Sequence, residues 1–228
     1  MLDILISHGS GGIGSAEKFI ANYFSNLGYN VHLNDFFKKY QINKLNWSEQ
    51  DSHTCTFKDM YDINVPRCKY LVHIGISFGT FFGFLNNDKF IKNFGFYPSV
   101  QGINQHMIEQ DYSNCTMFLA EHDVGIDRYS AFAKLCNTPP SKEYIIPNTH
   151  HGFMIDKIDI EFDKVKYNLV GKVMSDVEFN KLLPNHAYMS SQYEYKLART
   201  RLKSNNHARE YCLKIIENQI KDLENHLT

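Results

Sequence analysis

Six short apolar runs recur along the first two thirds of the chain, at residues 2–7, 29–33, 70–76, 94–97, 116–120 and 143–146. Each is followed at once by a polar residue or by proline. Runs this short and this continuously apolar read as strands buried on both faces of a parallel sheet. Between the first two, Ala16, Phe19, Ile20, Tyr23, Phe24 and Leu27 repeat with helical spacing and make one apolar face. Ser15 is the expected N-cap of that helix and Gly28 its expected stop. A second helix-like run follows the third strand through Phe84. Strands alternating with helices predict an α/β fold, a mostly parallel sheet of about six strands flanked by helices.

The 228 residues fit one domain with a core of its own, 43% of them hydrophobic and 21% charged. That core is expected within 2–155. Residues 38–69 are polar and read as a loop with some helix, 156–189 as an insertion or lid, and 190–228 as a charged C-terminal helical segment. In the last, Leu213, Ile216, Ile220, Leu223 and Leu227 form a stripe that suits packing on the parent domain and leaves monomer and homodimer both open. A formal net charge of −1 gives no electrostatic reason to expect a nucleic-acid partner. The basic group Lys196, Arg199, Arg201, Lys203 and Arg209 is expected to be a solvated helix face. Cys55, Cys68, Cys115, Cys136 and Cys212 show no C-x-x-C spacing and read as reduced thiols. No apolar run is long enough to span a bilayer and no basic segment precedes the first strand, so a cytoplasmic protein with no membrane partner is expected.

The first loop, HGSGGIG, contains Gly9, Gly11 and Gly14 as G-x-G-x-x-G between a strand and a helix, with Asp35 about twenty residues on. That is the order of an NAD(P)-binding turn, and an oxidoreductase is one reading. Its weakness is the absence of a well-placed Tyr-x-x-x-Lys pair, since Tyr40 and Lys44 come too early. A strand ending in His8-Gly9 followed by more glycines also forms one wall of an oxyanion hole.

The third strand runs into Gly75-Ile76-Ser77-Phe78-Gly79, a G-x-S-x-G motif ahead of a helix. A serine on such a sharp turn is held exposed, and the positions two before and two after must be small for the turn to close. A serine nucleophile needs a base, and the base an orienting acid. Asp123 follows the fifth strand and His151 the sixth, in the chain order Ser, Asp, His. Asp127 is a rival for the acid. His150 is expected to pack beside the base or line the pocket, His8 to hold the loop by hydrogen bonds, and His73 to be a satisfied core histidine. Glu121, His122 and Asp123 are adjacent, but no H-E-x-x-H or spaced His/Cys set accompanies them, so no metal is expected. Phe81, Phe82 and Phe84 read as core, one of them as a possible acyl-pocket wall.

Taken together, ISHGSGG, LGYNVHLNDFF, GISFGT, NFGFYPSV, FLAEHD and YIIPNTHHGFM, in that order, resemble the dienelactone hydrolase-like branch of the α/β-hydrolases over residues 2 to about 155. The resemblance implies Ser77 as nucleophile, His151 as general base and Asp123 as its orienting acid. The backbone N–H of Phe78 and that of Ser10 or Gly11 would hold the oxyanion. It implies a small-molecule ester as substrate, no cofactor, and a sheet lacking the first strands of the full fold. The chain departs from the family in carrying serine where dienelactone hydrolases proper use cysteine, which favours a general serine esterase. It also has Thr80 where glycine often follows the motif. A catalytically silent binding protein on the same fold is a further alternative.

Overall fold

The computed structural model describes residues 2–35, 37–38, 66–100, 103–169 and 193–227. Its centre is a six-stranded, wholly parallel sheet built from β1 (Asp3–Ser7), β2 (Asn30–Asn34), β3 (Leu71–Ile76), β4 (Lys92–Phe96), β5 (Cys115–Ala120) and β6 (Lys142–Ile146). The order across the sheet is β2-β1-β3-β4-β5-β6. The helices are α1 (Ser15–Asn26), α2 (Phe78–Leu85), α3 (Gln105–Glu109), α4 (Ile126–Leu135) and α5 (Asn206–Leu227).

Alternate strand residues sort into two cores. Ile4, Ile6, Val72, Ile74, Ile76, Phe94, Phe96 and Phe118 face Ile20 and Phe24 of α1 and Cys212, Leu213, Ile216 and Ile220 of α5. Leu5, Leu71, Met117 and Leu119 face the phenylalanines of α2, Met107 of α3, and Tyr129 and Phe132 of α4. Period-2 alternation thus feeds two apolar layers. Phe81, Phe82 and Phe84 are fully buried in the second layer.

His73 sits between the central strands with Nδ1 2.8 Å from Asn93 Oδ1 and Nε2 2.9 Å from Ser7 Oγ. It is the satisfied core histidine expected, and burial pushes its pKa down to about 4 against the opposing pull of Asn93.

The chain passes from β1 to β2 on one side and then returns to β3 on the other side of β1. The loops after β1 and β3 therefore leave the sheet in opposite directions and open a crevice between them, the place where α/β sheets hold ligands.

Three expectations need correction. Ser15 is the first residue of α1 and Gly14 is the N-cap, because Glu17 reaches back to the Gly14 N–H. Gly28, with φ +91°, does end the helix. The expected helical segment from 190 fails at its start: Tyr193–Lys203 is a strand, β8, paired antiparallel with β7 (Asp159–Leu169) along its whole length. Lysine, arginine, leucine and alanine suit a helix, but here they pair strand to strand, from Asp159↔Lys203 to Leu169↔Tyr193. The basic group accordingly lies mostly on this ribbon. At its base the Arg201 guanidinium clasps both Asp159 oxygens, at 2.7 and 2.8 Å. Only Arg209 belongs to a helix, stacked 3.9 Å over the Phe19 ring. Within 156–189, residues 159–169 are β7, and 170–189 lie outside the described residues. So do Tyr40, Lys44, Cys55 and most of 38–69. Among the described residues, no helix is long and apolar enough to cross a membrane.

Candidate active site

Ser77 links β3 to α2 with φ +50° and ψ −108°. A non-glycine residue held there is strained, and strain persists only where the surroundings enforce it. The surroundings are dense. Ser77 N–H donates to Phe96 O at 2.9 Å, and its carbonyl accepts from Thr80 N at 3.1 Å and Ser99 N at 3.2 Å. A side chain on Gly79 would collide with the Ser7 carbonyl, and one on Gly75 with the Thr80 backbone. Both flanking glycines are therefore required by close approach, as the motif spacing implied.

Thr80 also has a physical reason. Its hydroxyl donates to Gly75 O at 3.0 Å, tying the end of β3 to α2. Its methyl fills the space that a Cβ on Gly95 would need.

The Ser77 Oγ lies 3.0 Å from His151 Nε2. His151 Nδ1 lies 2.8 Å from Asp123 Oδ2. A carboxylate can only accept, so Nδ1 carries the proton and Nε2 is left as the acceptor for the Ser77 hydroxyl. Asp123 is buried, and its other oxygen accepts from Gly125 N–H at 2.8 Å. Both carboxylate oxygens are thus fixed. Asp127, the rival acid, lies exposed in the first turn of α4.

His151 reaches this position through a loop after β6. Thr149 Oγ1 donates to Ile146 O at 2.6 Å, Asn148 adopts φ +53° and Gly152 φ +81°. The His151 backbone forms a bridge with Leu202 of β8, so the ribbon's base supports it. The Tyr97 ring packs against the imidazole, centroids 4.7 Å apart. His150 turns instead toward His122, with ring centroids 5.1 Å apart, and burial lowers its pKa.

The loop after β1 crosses the Ser77 turn. A Cβ on Gly9 would stand 3.6 Å from Ser77 Cβ. His8 is buried with Nδ1 2.6 Å from Gly9 O, the loop-holding role expected, and burial pushes its pKa down to about 4. Its ring meets Phe37 at 4.5 Å. Gly12 N–H donates to Gly9 O at 3.1 Å, closing a turn over Ser10 and Gly11. Ser10 is half-buried and Gly11 exposed, and Phe78 opens α2.

Glu17 is the side chain that sequence reading passed over. Its carboxylate accepts from Gly9 N at 3.2 Å and from Gly14 N at 2.8 Å. Two N–H groups that a pyrophosphate would need are thereby engaged by a resident negative charge. Asp35, the ribose contact of the nucleotide reading, instead accepts from Lys38 N at 3.1 Å. Among the described residues, no group of three His, Cys, Asp or Glu side chains could hold a metal ion. No protein-family model matches the chain, and no curated protein matches it at a significant level.

Proposed function

We propose that this chain is a serine hydrolase of α/β-hydrolase-like fold that cleaves a small-molecule ester, in the manner of the dienelactone hydrolase-like branch it resembles. The observation that carries this reading is the hydrogen-bonded series Ser77–His151–Asp123, contributed by the ends of β3, β6 and β5. Support also comes from the strained Ser77 turn and the glycine loop laid across it.

The chemistry follows from these positions. His151 Nε2 takes the hydroxyl proton as Ser77 Oγ attacks the ester carbonyl carbon. Asp123 stabilises the imidazolium that forms. The carbonyl oxygen becomes an oxyanion facing the Phe78 N–H and that of Ser10 or Gly11, in line with the N-terminus of α2. Collapse of the tetrahedral intermediate breaks the bond to the leaving alkoxide, which takes the proton from His151. Water then attacks the acyl-serine with His151 removing its proton, and collapse of the second intermediate breaks the Oγ–acyl bond, Ser77 Oγ taking the proton back from His151 as the acid leaves.

The test is hydrolysis of p-nitrophenyl acetate and butyrate by wild-type protein and by Ser77→Ala. Wild type should turn over at least one ester, and Ser77→Ala should fall to the rate without enzyme. Equal turnover by the two proteins would overturn the reading.

A further inference from the structure

We infer that Glu17 is a positioning residue for the oxyanion loop, an inference that rests on the hydrolase reading above. Glu17 is an acid only 4% exposed in the first turn of α1. Its bond to the Gly14 N–H is the ordinary capping of a helix by its third residue. The bond to Gly9 is not explained by capping, because Gly9 lies five residues before the N-cap, two residues past the end of β1. One carboxylate thus holds both ends of the segment 9–14.

Between those ends lie Ser10 and Gly11. Gly9 and Gly14 donate to Glu17 and Gly12 to Gly9, while among the described residues nothing accepts from the Ser10 or Gly11 N–H. Those two donors therefore stay available, on a loop whose first glycine packs on the Ser77 turn. The Glu17 carboxylate sets the height of the loop above Ser77. Its charge is offset by two N–H groups and by the positive end of α1. It also keeps a competing anion off the Gly9 and Gly14 donors.

The prediction separates the two bonds. Glu17→Asp is one methylene shorter, so it keeps the Gly14 cap and loses Gly9. Glu17→Gln can accept at one oxygen only and sets its NH2 group against the other N–H. A missing oxyanion donor costs about 10²–10³ in kcat, so a displaced one should cost about 10–100-fold.

Wild type, Glu17→Asp and Glu17→Gln are compared for p-nitrophenyl acetate hydrolysis, for the rate of modification by a fluorophosphonate, and for Tm. The expected result is a Glu17→Asp protein that melts within a few degrees of wild type. Its kcat and labelling rate should fall together by about 10–100-fold, while KM changes less than about twofold. Folded variants with kcat within twofold of wild type would overturn the inference and leave the hydrolase reading standing. Loss of folding in both variants would make Glu17 a cap of the fold and overturn it too. A wild-type protein that neither hydrolyses the ester nor labels would instead remove the hydrolase reading itself.

Discussion

Ser77 carries strain, and its neighbours keep it in place. Replacing Gly79 by alanine would drive a methyl into the Ser7 carbonyl, forcing β1 and α2 apart. Gly79→Ala should lose about 1–3 kcal/mol in urea denaturation and lose ester hydrolysis with it. Asp123→Asn tests the orienting acid. The amide can present its NH2 to Nδ1 and select the wrong imidazole tautomer. Steady-state kinetics should show kcat down by about 10⁴ with the fold intact, the size such a change has in serine proteases. At this scale the sequence was legible where chemistry imposes spacing: G-x-S-x-G, and an acid and a histidine each just past a strand. Asp123 was preferred to Asp127 because it follows its strand more closely, and the path of the chain adds what the sequence could not show, that Asp127 falls in the exposed first turn of α4. Glu17 was hidden by placing the N-cap one residue late, at Ser15. Set at Gly14, the same residues show a glutamate three positions on.

The four inner strands could be read from apolar runs because a parallel strand buried on both faces has no polar phase to confuse it, whereas the edge strands β2 and β6 are not buried on both faces as expected and leave Leu33 and Ile145 exposed. Their ends shifted by one or two residues, since a strand ends where pairing stops and not where hydrophobicity stops. β4, for example, begins at Lys92, paired with Val72, ahead of the apolar run at 94. The ribbon was illegible for the opposite reason. At the base of β7 and β8 charges meet across the ladder, Glu161 lying 3.2 Å from the Arg199 guanidinium and 3.7 Å from that of Arg201, so the stabilising pattern lies between segments some forty residues apart and not within either. The stripe on α5 was readable, and Leu213, Ile216 and Ile220 do pack into the sheet core, with Leu223 at its margin and Leu227 exposed. Ile216→Ala should therefore cost about 2–5 kcal/mol of unfolding free energy by chemical denaturation, as a fully buried position does. A cost below about 0.5 kcal/mol would mean that α5 is not docked in solution.

Two buried histidines link the whole molecule to pH. His73 and His8 are each held neutral by burial, with pKa pushed down to about 4. Their unfolded value is near 6.5, so their contribution to stability is fully present above that pH and is lost as pH falls toward 4. For His73 the loss amounts to on the order of 3 kcal/mol across that window. Urea midpoints measured between pH 7 and 4.5 should fall steadily, and less steeply in His73→Gln, whose slope lacks one proton. Intact mass spectrometry after treatment with a fluorophosphonate, followed by peptide mapping, asks whether Ser77 is an activated nucleophile. A single adduct on Ser77, lost in His151→Ala, is the expected result. A well-folded wild-type protein with no adduct, or with its adduct on another residue, would contradict it.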